Sequence, residues 1–185
     1  NATYAMKKDA TSGSTKFWLE ITGLTPGQPY AYQYWVCDNV NLPANSPNVV
    51  KTADPFSTLV LSPFDDPEII TKGVFPNLPV YSTIAPNQER EVSLFQTGST
   101  TFFSYNWSSA STNFVKPNIK DLTIYEVLVR DFDADRSYQN LIDKIDYFKN
   151  LKVNAIQLMP VMEFEGNESW GYNPSFYFAP DKYYG

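Results

Sequence analysis

Residues 122–159 decide the fold of this chain, because two apolar runs of strand length stand on either side of a segment of mixed polarity. The runs are LTIYEVLV at residues 122–129 and VNAIQLM at residues 153–159. Both are nearly unbroken apolar stretches, and the second is closed by Pro160. Such runs are typical of strands that are buried on both faces.

The segment between the two runs has the periodicity of an amphipathic helix. We predict a helix over residues 137–150, with Ser137 placed to cap its first turn. Its apolar positions recur at helical spacing and are Tyr138, Leu141, Ile142, Ile145 and Phe148. A strand, a helix and a second strand of this kind form a βαβ unit with parallel strands and a right-handed crossover. Because one helix cannot cover both faces of a parallel pair, residues 121–185 predict the opening of a larger α/β domain.

Residues 1–117 have a different composition and hold 11 of the 14 prolines, which excludes long helices and favours short strands joined by turns. We find no helical periodicity in this part. KFWLEIT at residues 16–22 and YAYQYWVC at residues 30–37 flank a turn at residues 25–28, and they predict an antiparallel hairpin. Further strand candidates are residues 57–61, 80–84, 91–96 and 102–107. The pattern predicts a β-sandwich-like module.

The composition of the 185 residues excludes several classes of function. A net charge of −6 argues against binding to nucleic acid or to an anionic membrane surface. Histidine is absent, so a Ser-His-Asp triad, a Cys-His pair and a His-ligated zinc site are excluded within this chain. The single cysteine, Cys37, is expected to be a small buried apolar residue. No apolar run is long enough to predict a membrane span, and the start at Asn1 leaves the localisation unknown.

Four motifs in the second part follow one another in a characteristic order. They are IYEVLVRDF (residues 124–132), NLIDKIDYFKNL (140–151), VNAIQLMPVMEFEG (153–166) and SWGYNPSFYFAPDKYYG (169–185). Together they resemble the start of the catalytic barrel in the α-amylase superfamily of glycoside hydrolases and transglycosylases, nearest to its branching, debranching and pullulanase-like members. FWLEITGLTPGQPYAYQYWV and KTADPFSTLVL are similar to the immunoglobulin-like N-terminal module that often precedes this barrel.

The resemblance implies a definite architecture. Residues 1–98 would form an immunoglobulin-like β-sandwich that lacks its first strands, residues 99–120 a linker, and residues 121–185 the first βαβ of an incomplete TIM (β/α)8 barrel. One departure from the family pattern is Lys152, where the family usually has glycine between the helix and the second strand. Because a helix closes most easily in a left-handed residue, lysine is expected to reduce stability here unless the helix ends in another way.

The resemblance also implies an activity for the longer parent protein. Such enzymes hydrolyse or transfer α-glucosidic bonds of starch-like and glycogen-like glucans with retention of configuration, which requires two closely spaced carboxylates. In the family the catalytic acids follow barrel strands four, five and seven, so we expect no catalytic residue within this chain and no activity of the fragment alone. No cofactor is predicted. Glu163, Glu165 and Glu168 fit a solvated acidic loop better than a calcium cage, so they do not support a calcium site in this chain. Calcium binding by the full-length parent stays open.

The candidate substrate-binding residues are Tyr172, Trp170 and Asn173. The resemblance implies that Tyr172 stacks against the sugar ring next to the scissile bond, and that Gly171 lets the backbone approach closely. The alternative is that Trp170 and Tyr172 pack beneath their loop. For the aromatic residues behind them we expect core and loop packing; these are Phe176, Tyr177, Phe178, Tyr183 and Tyr184. For Arg130 and Asp131 we expect a structural ion pair.

Two alternatives come from other classes of function. The first is a non-catalytic α-glucan-binding module that uses aromatic side chains of the first part, namely Phe17, Trp18, Tyr30, Tyr32, Tyr34 and Trp35. Strand alternation places the three tyrosines on one face and Trp35 on the other, so at most half of the set is free to bind. The second is a structural fragment that self-associates through the open edge of the barrel. The implied partner is an α-glucan polysaccharide or oligosaccharide, without nucleic acid.

Overall fold

The computed structural model describes residues 2–37, 48–98 and 105–185. The strands are β1 (Lys7–Lys8), β2 (Phe17–Trp18), β3 (Pro29–Tyr32), β4 (Tyr34–Cys37), β5 (Val49–Thr52), β6 (Val60–Leu61), β7 (Val92–Gln96), β8 (Ile124–Val127), β9 (Ala155–Leu158), β10 (Met162–Phe164) and β11 (Pro174–Pro180). The α-helices are α1 (Asp66–Lys72), α2 (Tyr81–Ile84), α3 (Ser109–Thr112), α4 (Val129–Phe132), α5 (Tyr138–Asp143) and α6 (Ile145–Asn150). Short 3₁₀ turns cover Ile119–Asp121 and Lys182–Tyr184.

The predicted parallel pair is present. β8 and β9 run parallel, in a register that starts with Ile124 opposite Ala155 and ends with Val127 opposite Leu158. Helices α5 and α6 lie between them in sequence, and the Ser137 hydroxyl caps α5 by accepting a hydrogen bond from the Asn140 amide at 3.1 Å. The strand is shorter than the apolar run, because the chain turns into helix α4 directly after Leu128.

Helix α6 closes in a left-handed residue, as the resemblance implied, although that residue is lysine. Lys152 has φ = +62°. Its amide donates to the Lys149 carbonyl at 2.9 Å, and the Val153 amide donates to the Phe148 carbonyl at 3.1 Å. These two bonds form a Schellman motif, whose left-handed position favours glycine. A Cβ atom in this conformation costs about 1–2 kcal/mol, so the fold accepts strain at Lys152.

The pairing of strands in the first part differs from the predicted hairpin. β2 pairs with β1, β3 pairs with β7, and β4 pairs with β5, all antiparallel. The prediction of one hairpin between residues 16–22 and 30–37 is therefore wrong. β3, β7 and β6 form a three-stranded sheet in that order, so the central strand is the one from residues 91–96, which the sequence predicted as a strand.

Helices also occur where the sequence predicted none. Residues 80–84 were expected to be a strand but form α2, and the seven-residue helix α1 had no predicted counterpart. The predicted strand over residues 57–61 is shorter in the structure, where β6 covers its last two residues. Most of the candidate strand 102–107 lies outside the described residues. Cys37 is exposed, so the expectation of a buried cysteine is wrong.

One apolar core draws on both parts of the chain. Its buried side chains include Leu61, Ile69 and Val92 from the first part and Phe164 and Tyr184 from the second. The division into residues 1–98, 99–120 and 121–185 stays a prediction, but the packing shows that the two parts share a core. Within the described residues, no helix has the length and apolar character that crossing a bilayer requires.

We predict that Lys152→Gly stabilises the chain. The substitution removes the strain of a Cβ at a left-handed position, and the greater freedom of glycine in the unfolded chain offsets part of the gain. We expect the free energy of unfolding to rise by about 0.5–1 kcal/mol, measured by urea denaturation. Lys152→Ala is the matched control, because it removes the same charge and keeps the Cβ. Equal stability of the glycine and alanine variants would show that strain at this residue is negligible.

Candidate functional site

The predicted sugar-contacting residues lie on one exposed loop. Residues 165–173, the β10–β11 loop, connect two antiparallel strands. Trp170 and Tyr172 on this loop are 62% and 67% exposed, so the alternative that they pack beneath it is wrong. Asn173 is exposed as well and accepts a hydrogen bond from the Ser169 hydroxyl. The structure therefore places all three candidates, exposed, on the same loop.

Gly171 holds this loop close to the end of strand β9. It has φ = +83°, and a Cβ built on it would lie 2.5 Å from the carbonyl oxygen of Pro160, two residues beyond β9. Its amide donates to the Ser169 hydroxyl at 3.0 Å. A side chain at this position would force the loop away from Pro160, so glycine is needed both for the conformation and for the close approach. The loop is thus seated at the carboxyl end of β9.

Arg130 approaches the same loop from the end of strand β8. The predicted ion pair with Asp131 is confirmed: Arg130 Nε lies 2.7 Å from Asp131 Oδ1, and Arg130 Nη2 lies 3.0 Å from Asp131 Oδ2. Arg130 also meets Glu168 at 3.5 Å, and Arg136 meets Glu168 at 2.9 Å. These contacts raise the pKa of the arginine guanidinium groups and lower the pKa of Asp131.

A second group of charges is buried beneath the base of the β10–β11 hairpin. Lys182 is 2% exposed; its ammonium lies 3.3 Å from Asp66 Oδ1 and donates a hydrogen bond to Glu163. Asp66 also accepts a hydrogen bond from the Ser62 amide at 3.0 Å. The solvated acidic loop predicted for the three glutamates is therefore wrong for Glu163, which is buried and paired. Lys182 and Asp66 were not predicted, because no local pattern marks a charge whose partner is distant in sequence.

Burial raises the pKa values of the carboxyl groups in this region. Desolvation raises the pKa of Glu163 to about 7 and that of Asp181 to about 6, although Lys182 opposes both shifts. Burial raises the pKa of Asp66 in the same way. A single ammonium cannot neutralise three buried carboxylates, and protonation of one of them relieves the excess negative charge.

The aromatic residues behind the loop divide into two groups. Tyr183 and Tyr184 are buried in the core and Phe176 packs half-buried against a smaller apolar cluster, as expected. Tyr177 is 66% exposed and Phe178 is also exposed, so packing into the core is wrong for these two. Phe178 stacks on Phe56 with ring centroids 5.3 Å apart. Tyr177 and Phe178 are consecutive in β11, so they lie on opposite faces of the strand, and both faces are open to solvent at this point.

The aromatic residues of the first part follow the predicted faces. Tyr30, Tyr32 and Tyr34 are half-buried, and the hydroxyls of Tyr32 and Tyr34 both donate to Asp54 Oδ2, at 2.8 and 3.2 Å. Trp35 is exposed, with the Lys51 ammonium 4.9 Å from its ring centroid. Phe17 and Trp18 on β2 are exposed as well. In the part of the chain that the structure describes, no group of three or more acidic or cysteine residues is arranged to hold a metal ion.

Comparison with known proteins gives partial matches. No family model matches the chain. It is 37% identical to a malto-oligosyltrehalose trehalohydrolase from Saccharolobus solfataricus over 40% of this chain and 13% of that protein. It is 34% identical to the chloroplastic isoamylase 3 of Oryza sativa subsp. japonica over 43% of this chain and 14% of that protein. The chain therefore spans about one seventh of the length of these curated relatives.

A solved structure extends the match to nearly the whole chain. A crystal structure of a Salmonella typhimurium protein classed as an α-amylase matches with a TM-score of 0.60 and 22% identity. The match covers 97% of this chain and 23% of that one, and it shows a common fold.

We predict that the chain becomes less stable as the pH rises from about 5 to 7. The folded pKa of Glu163 is about 7 and lies above its ordinary value, so the folded chain keeps a proton that the unfolded chain loses in this range. The stabilisation is present at low pH and is lost as the pH rises through 7; we expect a fall on the order of 1–3 kcal/mol in the free energy of unfolding. Asp181, with a pKa of about 6, adds to the fall below pH 6.

Urea denaturation at a series of pH values measures this slope. Glu163→Gln should remove the fall between pH 6 and 7, whereas Glu165→Gln, at an exposed position two residues away, should keep it. A stability that is constant or rises over this range in the unmodified chain would contradict the prediction.

The motifs, the partial sequence matches and the shared fold agree, and they make the chain similar to enzymes of the α-amylase family.

Proposed function

We propose that this chain supplies part of the glucan-binding face of an enzyme that hydrolyses or transfers α-glucosidic bonds. The observation that carries the proposal is the position of the β10–β11 loop. Arg130 follows β8 and donates a hydrogen bond to the Ser169 carbonyl in this loop. Pro160 follows β9 and lies against Gly171 in the same loop. The carboxyl edge of a parallel sheet is where α/β barrel enzymes build their sites.

The proposed architecture follows from the same strands. β8, the α5–α6 segment and β9 would be the first βαβ of a (β/α)8 barrel, preceded by an immunoglobulin-like module over residues 1–98. The names of the relatives, a trehalohydrolase and an isoamylase, support a starch-like or glycogen-like glucan as the substrate. The proposed mechanism retains configuration and uses carboxylates on barrel strands other than β8 and β9. We therefore expect the 185-residue chain alone to bind glucan but not to cleave it.

Tyr172 is proposed as the main contact to the sugar. A phenol ring offers a flat apolar surface to the C–H face of a glucose residue, and its hydroxyl can form a hydrogen bond at the edge. Trp170 lies two residues away on the same loop and offers a second ring. Asn173 supplies an amide for the sugar hydroxyls, with its carbonyl oxygen already engaged by Ser169.

We predict that Tyr172→Ala weakens the binding of maltoheptaose about tenfold, because it removes the stacking surface. The matched control is Tyr177→Ala, since Tyr177 is 66% exposed against 67% for Tyr172 but lies on β11 outside the loop. Isothermal titration calorimetry, or quenching of tryptophan fluorescence, measures the affinity. Equal losses in the two variants, or no loss in Tyr172→Ala, would rule out the proposed contact.

A second candidate function is a glucan-binding module in the first part of the chain. The observation that favours it is the exposure of Phe17, Trp18 and Trp35, which leaves their rings free of the core. Affinity electrophoresis in gels with glycogen separates the two proposals. If the second candidate holds, Trp18→Ala should migrate through glycogen gels as fast as through glycogen-free gels, and Tyr172→Ala should stay retarded like the unmodified chain. If the first proposal holds, Tyr172→Ala should lose the retardation and Trp18→Ala should keep it.

A further inference from the structure

We propose that Arg130 is a positioning residue that fixes the β10–β11 loop so that Tyr172 presents its ring to the substrate. This inference rests on the proposed function, because it assigns a supporting residue to the same site. It concerns a side chain for which the sequence predicted no more than a structural ion pair.

The guanidinium of Arg130 is oriented by its neighbour and aimed at the loop. The side chain is 14% exposed. Two of its nitrogens, Nε and Nη2, are occupied by the carboxylate of Asp131 in a bidentate arrangement. The remaining nitrogen, Nη1, donates to the carbonyl oxygen of Ser169 at 3.2 Å. The planar fork therefore has one arm fixed on Asp131 and the other on the loop, which a lysine cannot reproduce.

Ser169 transmits this anchor to the residues on both sides of Tyr172. Its hydroxyl accepts a hydrogen bond from the Gly171 amide at 3.0 Å and donates one to Asn173. The backbone of Ser169 is thus held by Arg130, while its side chain holds the residues before and after Tyr172. Gly171 is further confined by Pro160. Displacement of Ser169 would move the segment that carries the Tyr172 ring.

The contact with Ser169 matters more for this role than the ion pairs of Glu168. The Glu168 side chain is largely exposed and meets both Arg130 and Arg136, and exposed ion pairs contribute little because water screens them. A charged donor on a backbone carbonyl at a mostly buried site is a stronger contact. Arg136 therefore provides a control: it shares Glu168 with Arg130, and its guanidinium donates to the side chain of Glu168.

The test compares Arg130→Lys with Arg136→Lys in two measurements. The first is hydrogen–deuterium exchange of the amides of residues 169–173, and the second is the affinity for maltoheptaose. We expect Arg130→Lys to speed exchange at these amides at least tenfold and to weaken binding about fivefold. Arg136→Lys should change each by less than twofold. Unchanged exchange in Arg130→Lys would overturn the inference.

A double-mutant cycle separates positioning from a general loss of stability. If Arg130 acts through Tyr172, then Arg130→Lys weakens binding in the unmodified chain but has no further effect in Tyr172→Ala. Additive losses would mean that Arg130 acts elsewhere, and this would overturn the inference. Ser169→Ala removes the next link and provides a second variant if Arg130→Lys does not fold; it should also speed exchange at Gly171, and unchanged exchange there would contradict the relay.

The outcomes also separate this inference from the proposed function. If the unmodified chain binds maltoheptaose through Tyr172 and Arg130→Lys binds equally well, the function stands and the positioning role fails. If the unmodified chain does not bind maltoheptaose, the proposed function fails for this loop, and with it the role of Arg130 in presenting Tyr172. Exchange would then report solely whether Arg130 orders the loop.

Discussion

The burial of the Lys182 ammonium between Asp66 and Glu163 is the interaction on which the arrangement of the two parts depends. Asp66 begins helix α1 in the first part, Glu163 lies in β10, and Lys182 follows β11. Loss of Lys182 would leave the buried carboxylates without a compensating cation, which costs about 3–5 kcal/mol. Apolar contacts in the shared core tolerate small shifts, but a buried ion pair tolerates few. We infer that this cluster selects a single packing of α1 against the β10–β11 hairpin.

The position of the candidate site follows from this anchor. The hairpin is fixed at its base by Lys182, and its tip is held at the carboxyl edge of the parallel pair by Arg130 and by the contact of Gly171 with Pro160. The loop therefore connects two fixed points. For the proposed glucan contact, a loop held at two points loses less conformational entropy on binding than an unanchored one.

Local patterns in the sequence predicted the second part well, because its structure is set by local physics. The helical repeat and the cap at Ser137 each depend on residues within a few positions of one another. The first part was predicted less well, because the pairing of short strands depends on distant partners. β3 pairs with β7, some sixty residues later in the sequence, and nothing in residues 16–37 indicates this. Glu163 looked solvated for the same reason, since its partner Lys182 lies nineteen positions away.

Exposure alone does not distinguish the candidate site. Tyr177 is as exposed as Tyr172, and Phe178 and Phe56 form an exposed stacked pair on another surface. What distinguishes Tyr172 is that the residues on either side of it are tied through Ser169 to the end of β8, and through Gly171 to the end of β9. A large aromatic ring on a mobile loop would tend to fold back against apolar surface, because that burial is favourable by about 25 cal/mol per Å². A loop that is anchored at both strand ends prevents this collapse and keeps the ring available to a flat apolar ligand surface.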